Sequence, residues 1–241
     1  MKKQIGILRG MGPEATSELF SLIIKNTKAC IDQDHIPVII INNPKIPDRS
    51  LFILGKGPSP IKMLIEGALK LEQMGADIIL IPCNTAHYFL TQIIEKIHVP
   101  VIDMIKETAR YVLYKYPKIK RFGLLTTSGV YKTAIYKEAF EDIGLDIINP
   151  DFLYQQQNMT AIYGINGIKA GFKTIPGKIL LRSVANLIKK GAGAIISGCT
   201  EISLVLEQSQ INIPLINPLK ILAVKSVQSA GYSCPDFQPG E

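Results

Sequence analysis

Two stretches of this 241-residue chain decide its reading: Gly75-Ala76-Asp77-Ile78-Ile79-Leu80-Ile81-Pro82-Cys83-Asn84-Thr85 and Gly191-Ala192-Gly193-Ala194-Ile195-Ile196-Ser197-Gly198-Cys199-Thr200-Glu201. In each, glycine ends a helical pattern, a short apolar run follows, and a cysteine with polar neighbours closes the segment. Short apolar runs bounded by glycine read as strands buried on both faces, the kind found in parallel sheets. The two cysteines lie 116 positions apart (199 − 83). Outward from them the correspondence continues in the same order. Ile5-Gly6-Ile7-Leu8 matches Phe122-Gly123-Leu124-Leu125 at an offset of 117 (122 − 5). Val99-Pro100-Val101-Ile102 matches Ile213-Pro214-Leu215-Ile216 at 114 (214 − 100). The chain therefore repeats itself.

Strand-like runs are Gln4–Leu8, Val38–Asn42, Ile78–Ile81, Val99–Asp103, Arg121–Leu125, Asp146–Ile148, Ala194–Ser197 and Ile213–Ile216. Between them, segments such as Ile61–Met74 and Ile179–Lys190 carry apolar residues at helical spacing. Strands alternating with helices imply an α/β fold of parallel sheets flanked by helices. The repeat divides it into two pseudo-symmetric lobes with the active site in the cleft between them. The first lobe is expected over 1–104 plus 217–241 and the second over 105–216. The chain crosses after Asp103 and again after Asn217, the helix Leu219–Ser229 returns to the first lobe, and Ser233–Glu241 reads as a polar tail.

Composition narrows the partners. Hydrophobic residues make up 47% and charged residues 20%, which is globular and not disordered. Apolar runs such as Val38–Ile41 fall far short of the ~18 residues of a membrane span. Ile5–Leu8 is too short for the core of a signal peptide and is followed at once by Arg9, so a cytoplasmic protein is expected. The net charge of +7 and the pI near 9.1 raise the question of nucleic acid. The basic residues are scattered, however, and their densest group, Lys115, Lys118, Lys120 and Arg121, has no interleaved aromatic residues. A solvated surface is expected there. Four cysteines are too few for a disulfide scaffold and point to chemistry or burial.

Ligands of open parallel sheets bind beyond the carboxyl ends of the strands, so two facing lobes aim those ends at one cleft. Each lobe delivers a cysteine there, Cys83 and Cys199, just before an expected helix start capped by Asn84, Thr85 or Thr200. A helix N-terminus can lower a thiol pKa. Two thiols across one ligand suit removal of a proton from one face of a carbon acid and its return to the other, which needs neither metal nor pyridoxal. A single cysteine at a strand end is ordinarily a small core residue; two at equivalent repeat positions argue for function. Cys30, in a helical stretch, and Cys234, in the tail, read as bystanders.

Pro82-Cys83-Asn84-Thr85-Ala86-His87 and Gly198-Cys199-Thr200-Glu201-Ile202 resemble the paired motifs of the aspartate/glutamate racemase family. Gly10-Met11-Gly12-Pro13, Asp32-Gln33-Asp34-His35-Ile36-Pro37, Asn43-Pro44-Lys45-Ile46-Pro47-Asp48-Arg49 and Tyr163-Gly164 through Gly171 resemble segments of its aspartate racemase branch. The resemblance spans essentially the full length. It implies a cofactor-independent amino-acid racemase, usually a homodimer, acting on a small dicarboxylic amino acid, with glutamate or a broader range as the alternative. It makes Cys83 and Cys199 the two bases and sets Arg49 and Lys169 beside the substrate carboxylates. Met11, Gly12, Asn84, Thr85, Thr127 and Thr200 fall where the family contacts substrate. Arg9 departs from the pattern, which has glycine there, and is expected near the cleft mouth; Asn42 is a milder departure.

His87 and Glu201 follow their cysteines by four and two residues, close enough to assist proton exchange. A dicarboxylate would be met by the Arg49 fork, and the carbanion by backbone N–H groups of Asn84, Thr85 and Thr200. Three rivals remain. Gly10-Met11-Gly12-Pro13-Glu14-Ala15 formally fits a dinucleotide fingerprint, but the second strand ends in Asn42-Asn43 where an acidic ribose contact is wanted. Cys83, His87 and Cys199 could be imagined around zinc, without the usual ligand spacing. A two-lobed binding protein without catalysis has no need of two cleft thiols.

Overall fold

The computed structural model describes residues 2–234. Its strands are β1 (Ile5–Arg9), β2 (Val38–Asn42), β3 (Ile78–Leu80), β4 (Val101–Ile102), β5 (Arg121–Thr126), β6 (Asp146–Ile148), β7 (Ala194–Gly198) and β8 (Leu215–Ile216). They form two four-stranded parallel sheets of the same order, β2-β1-β3-β4 and β6-β5-β7-β8. Helices α1 (Pro13–Asn26), α2 (Arg49–Ile53), α3 (Ile61–Gln73), α4 (Leu90–Ile94) and α5 (Met104–Lys115) occupy the first half. The second half holds α6 (Ser128–Thr133), α7 (Ile135–Glu141), α8 (Phe152–Tyr163), α9 (Thr174–Lys189) and α10 (Pro218–Ser229).

The period-two alternation of the strands explains why both faces of each sheet are apolar. Ile5, Ile7, Ile78 and Leu80 meet α1 and α10 through Leu19, Ile23, Leu219, Leu222 and Val227. Leu8, Ile79 and Ile81 meet α3 through Leu64, Ala68 and Leu71 on the other face. In the second sheet Phe122, Leu124, Ala194 and Ile196 face α5 and α7, while Leu125 and Ile195 face α8 and α9. The chain passes from one sheet to the other at two matching junctions. Asp103 caps α5 by accepting from the backbone N–H groups of Ile105 and Lys106, and Asn217 caps α10 by accepting from those of Leu219 and Lys220. The two helices that follow lie against each other.

All eight expected strands are present, with small shifts at their ends. β4 and β8 are shorter than their apolar runs because Pro100 and Pro214 have no N–H for the ladder; their carbonyls still accept from Ile79 and Ile195. Two expectations fail. Each cysteine is followed by a 3₁₀ turn, Asn84–Phe89 and Ile202–Leu204, and neither turn has a side-chain cap. Cys30 lies exposed in a bend after α1 has ended, not in a helix. Of the expected tail, the Ser233 carbonyl accepts from the Lys28 N–H and Cys234 packs beside the first core; residues 235–241 lie outside the described residues.

The halves meet closely. A Cβ on Gly129, in α6, would stand 2.7 Å from Ser50 Oγ and 2.9 Å from Ser50 Cα in α2. Because the Cα belongs to the backbone, Gly129→Ala is expected to push the two helices apart and destabilise the protein by about 1–3 kcal/mol, the usual range for overpacking. Urea unfolding of the variant checks this.

Candidate active site

The carboxyl ends of β1, β3, β5 and β7 converge between the two sheets, and almost every side chain there is buried. Cys83 follows β3 and Cys199 follows β7, each 6% exposed. Gly10, at φ +113°, lets the chain leave β1 hard against Asn43, where a Cβ would come within 2.2 Å of backbone. The turn delivers Met11 and Gly12 to the cleft. A Cβ on Gly12 would lie 2.8 Å from Glu201 Oε1 and 3.4 Å from Lys169 Nζ, so glycine leaves room for that ion pair. The pair also covers the start of α1, where a dinucleotide pyrophosphate would sit. Asn42, at the end of β2, accepts from Thr16 Oγ1 at 2.9 Å.

The residues after the two cysteines are spent across the cleft and not on capping. Asn84 Oδ1 accepts from Tyr136 Oη at 2.6 Å, and Thr85 Oγ1 lies 3.0 Å from Thr127 Oγ1. Thr127 caps α6, accepting from the Val130 N–H. Thr200 Oγ1 donates to Glu201 Oε2 at 3.1 Å and accepts from Arg9 Nη2 at 2.8 Å. The Cys199 thiol also donates to Glu201 Oε2, at 3.0 Å, while Lys169 Nζ donates to Oε1 at 2.7 Å. Lys169 lies 5.3 Å from the centre of the Tyr163 ring.

These contacts set the charges. Burial pushes the Glu201 carboxyl up, but Lys169, then Arg9 and the Cys199 thiol, outweigh it and hold it down at about 2. Burial, reinforced by the Glu201 charge, keeps Cys199 a thiol well above the usual range. The expectation that a helix end lowers this thiol is corrected: a 3₁₀ turn of three residues has little dipole, and a carboxylate stands beside it. The other side of the cleft carries cations. Arg49 donates to the carbonyls of Ile46, Pro47 and Met11. Burial opposes its charge, yet the neighbouring Cys83, followed by Tyr163 and Asp48, holds its pKa above the ordinary value.

Arg9 is the second correction. It lies not at the exposed cleft mouth but fully buried, because the end of β1 is closed over by the second half, whose Thr200 its guanidinium reaches. Burial lowers its pKa against the pull of Cys83, Glu201 and Cys199.

His87 is placed differently from a proton shuttle. One ring nitrogen, Nδ1, is 3.0 Å from the Cys83 carbonyl, and the other, Nε2, accepts from the Met104 N–H at 3.1 Å. Both are therefore occupied in a neutral ring, which burial favours over the offsetting effect of Asp103. Among the described residues no group of three or more His, Cys, Asp and Glu side chains could hold a metal ion. Several donors converge unpaired on the cleft: Arg9 Nε and Nη1, Arg49 Nε, Asn84 Nδ2 and Ser50 Oγ find no hydrogen-bond partner among the described residues. Sequence reasoning missed Tyr136 and Ser50. Tyr136 shares its helix face with Phe140 and reads as core, and nothing in the α2 sequence singles out Ser50.

The Asp/Glu/Hydantoin racemase family model matches residues 8–225. The chain is 30% identical over 231 residues to the broad specificity amino-acid racemase RacX of Bacillus subtilis (strain 168), covering 93% of this chain and 97% of the relative. Picrophilus torridus aspartate racemase superposes with a TM-score of 0.84 at 28% identity, covering 96% of both chains. Glutamate racemase isoform RacE1 of Bacillus anthracis shares the fold, with a TM-score of 0.66 at 18% identity over 95% of this chain and 83% of that one. The chain belongs to the Asp/Glu/Hydantoin racemase family and is an amino-acid racemase.

Proposed function

We propose that this racemase interconverts L- and D-aspartate by moving the Cα proton between two cysteines, without pyridoxal or metal. The observation that carries the reading is the placement of Cys83 and Cys199 at corresponding ends of β3 and β7, buried alike at 6% exposure, with the charge of Arg9 acting on both. The same reading takes 1–104 with 217–241 as one lobe and 105–216 as the other, in a cytoplasmic homodimer.

The two thiols have unlike surroundings. Cys83, beside the Arg49 guanidinium, takes the proton from Cα. Cys199, kept protonated, gives its proton to the opposite face. The enzyme is then left with the proton on Cys83 and none on Cys199, the form that acts on the opposite enantiomer; Cys83 then loses its proton to water and Cys199 regains one from water, its hydrogen bond to Glu201 at 3.0 Å favouring the thiol. Positioned acid–base groups supply typically 10²–10⁴-fold. The remainder falls to donors aimed at the enolate-like carboxylate: Arg49 Nε, Asn84 Nδ2 and the backbone N–H groups of Asn84, Thr85 and Thr200. Met11, Gly12 and Thr127 shape the walls. His87 holds the Cys83 turn to the start of α5.

Three buried or part-buried cations, of which Glu201 pairs directly with Lys169 alone, favour a substrate with two carboxylates. Glutamate or a broader range is the rival reading, supported by the name of the Bacillus subtilis relative. L-aspartate, L-glutamate and L-alanine are to be followed separately in D₂O with EDTA and no pyridoxal. Proton NMR and optical rotation are expected to show Cα–H loss and decaying rotation fastest for aspartate. No exchange with any of the three would overturn the reading, and equal rates would favour the broad range.

A further inference from the structure

We propose that Arg9 selects the substrate by binding its side-chain carboxylate, which makes this one residue the determinant of preference for acidic over neutral amino acids. The inference rests on the two-thiol racemase reading and adds to it the group that recognises the side chain.

Arg9 is the least committed cation in the cleft. Lys169 is neutralised at 2.7 Å by Glu201, and Arg49 is tied to three carbonyls and set beside Cys83 and Asp48. Arg9 makes one hydrogen bond, to the neutral hydroxyl of Thr200. Its Nε and Nη1 have no partner, and no carboxylate of the described residues lies within ion-pair distance of it. A fully buried guanidinium with no carboxylate directly paired to it is costly, and a ligand carboxylate would supply the missing partner.

Charge counting identifies the anion. Lys169 is matched by Glu201 and Arg49 has Asp48 beside it, which leaves Arg9 as the cation with no carboxylate of its own among the described residues. An α-amino acid with a neutral side chain is a zwitterion and cancels nothing. One with a second carboxylate carries a net single negative charge and closes the balance.

The repeat shows that this cation is a departure from symmetry. By the register that matches Ile5 to Phe122, the position equivalent to Arg9 is Thr126 at the end of β5. Thr126 Oγ1 is satisfied within its own sheet, donating to the Gly198 carbonyl at 2.7 Å. Racemisation needs matched groups on the two faces of Cα, whereas the side chain of the substrate can point only one way. A single unpaired guanidinium on one side of an otherwise paired arrangement marks that direction.

The test compares kcat/KM for aspartate and for its uncharged isostere asparagine, read as Cα–H exchange, in the native enzyme and in Arg9→Gly and Arg9→Lys. A site that pairs a buried charged group rejects the analogue lacking it by orders of magnitude, so the aspartate-to-asparagine ratio is expected to fall at least 100-fold in Arg9→Gly and less in Arg9→Lys, which keeps the charge but loses the fork. Succinate, tested as an inhibitor against butyrate, is expected to lose its advantage in the same variants. A ratio that stays within threefold overturns the proposal, whether both rates fall together, as they would if Arg9 served the thiolates or the α-carboxylate, or neither falls. If Arg9→Gly does not fold, the Arg9→Lys ratio and the succinate comparison decide. Failure of the native enzyme to exchange either amino acid would instead strike the racemase reading itself.

Discussion

Replacing either Cys83 or Cys199 by alanine is expected to lower racemisation about 10³-fold or more while leaving the protein folded. Both side chains are small and buried at strand ends, where a cysteine packs as a minor hydrophobe. Truncation to alanine removes one sulfur from each core margin, a change of about 1 kcal/mol in stability. The kinetic loss is far larger, because the proton then has no acceptor on one face of Cα or no donor on the other. The two variants differ in a telling way. Cys199→Ala keeps Cys83 beside its guanidinium groups and is expected still to wash deuterium into one enantiomer without inverting it. Cys83→Ala keeps only the thiol bonded to Glu201, which has to be deprotonated before it can act. Rotation decay and deuterium wash-in measured on both enantiomers separate these outcomes. Native rates in either variant would remove the two-thiol mechanism.

The second large effect is expected from Glu201→Gln, on stability as well as rate. Glu201 binds Lys169 and accepts from Cys199 and Thr200 in a buried setting, and its carboxyl is held down from the ordinary 4.5 to about 2. A group that ionises more readily when folded stabilises the fold above its unfolded value and loses that contribution as pH falls through the folded one. The gap corresponds to about 3 kcal/mol. It is present in full at pH 7 and is lost between about pH 4.5 and pH 2. Unfolding free energies of the native protein and the variant from urea titration should therefore differ by about 3 kcal/mol at neutral pH and converge in acid. The carboxyls of Asp151 and Glu72, which hydrogen bonds also hold below their ordinary values, are common to both proteins and cancel in the difference. A variant as stable as the native protein at pH 7 would show that Lys169 finds compensation elsewhere.

Much of the fold was legible because it is written twice. Apolar runs buried on both faces, closed by Pro82-Cys83 and Gly198-Cys199, identify the central strands, and the offset between them forces two sheets of one order. The strand ends that carry the cysteines were legible for the same reason. What lies beyond the strand ends was not. Asn84, Thr85 and Thr200 have capping side chains, and sequence alone assigns them to caps. In the protein they find partners on the opposite side, Tyr136, Thr127 and Arg9, which no local pattern announces. His87 illustrates the same limit: its distance from Cys83 in the chain suggests proton transfer, but the Met104 N–H, seventeen positions on, takes the free nitrogen. Arg9 reads as a charge near the cleft mouth, since nothing nearby in sequence shows that the two halves close over it.

Helix α10 carries a consequence for how the protein is made. Leu219, Leu222, Ala223 and Val227 complete the core of the sheet built from β1 to β4, yet they are synthesised after every strand of both sheets. The half of the molecule begun first must wait, with one face of its sheet covered by α1 but not α10, until the other half has been synthesised and the chain has crossed back at Asn217. Domains ordinarily fold in order of synthesis. Here the order is inverted: the second sheet has all its strands and helices before the first does, and the half made earlier is the later to be finished.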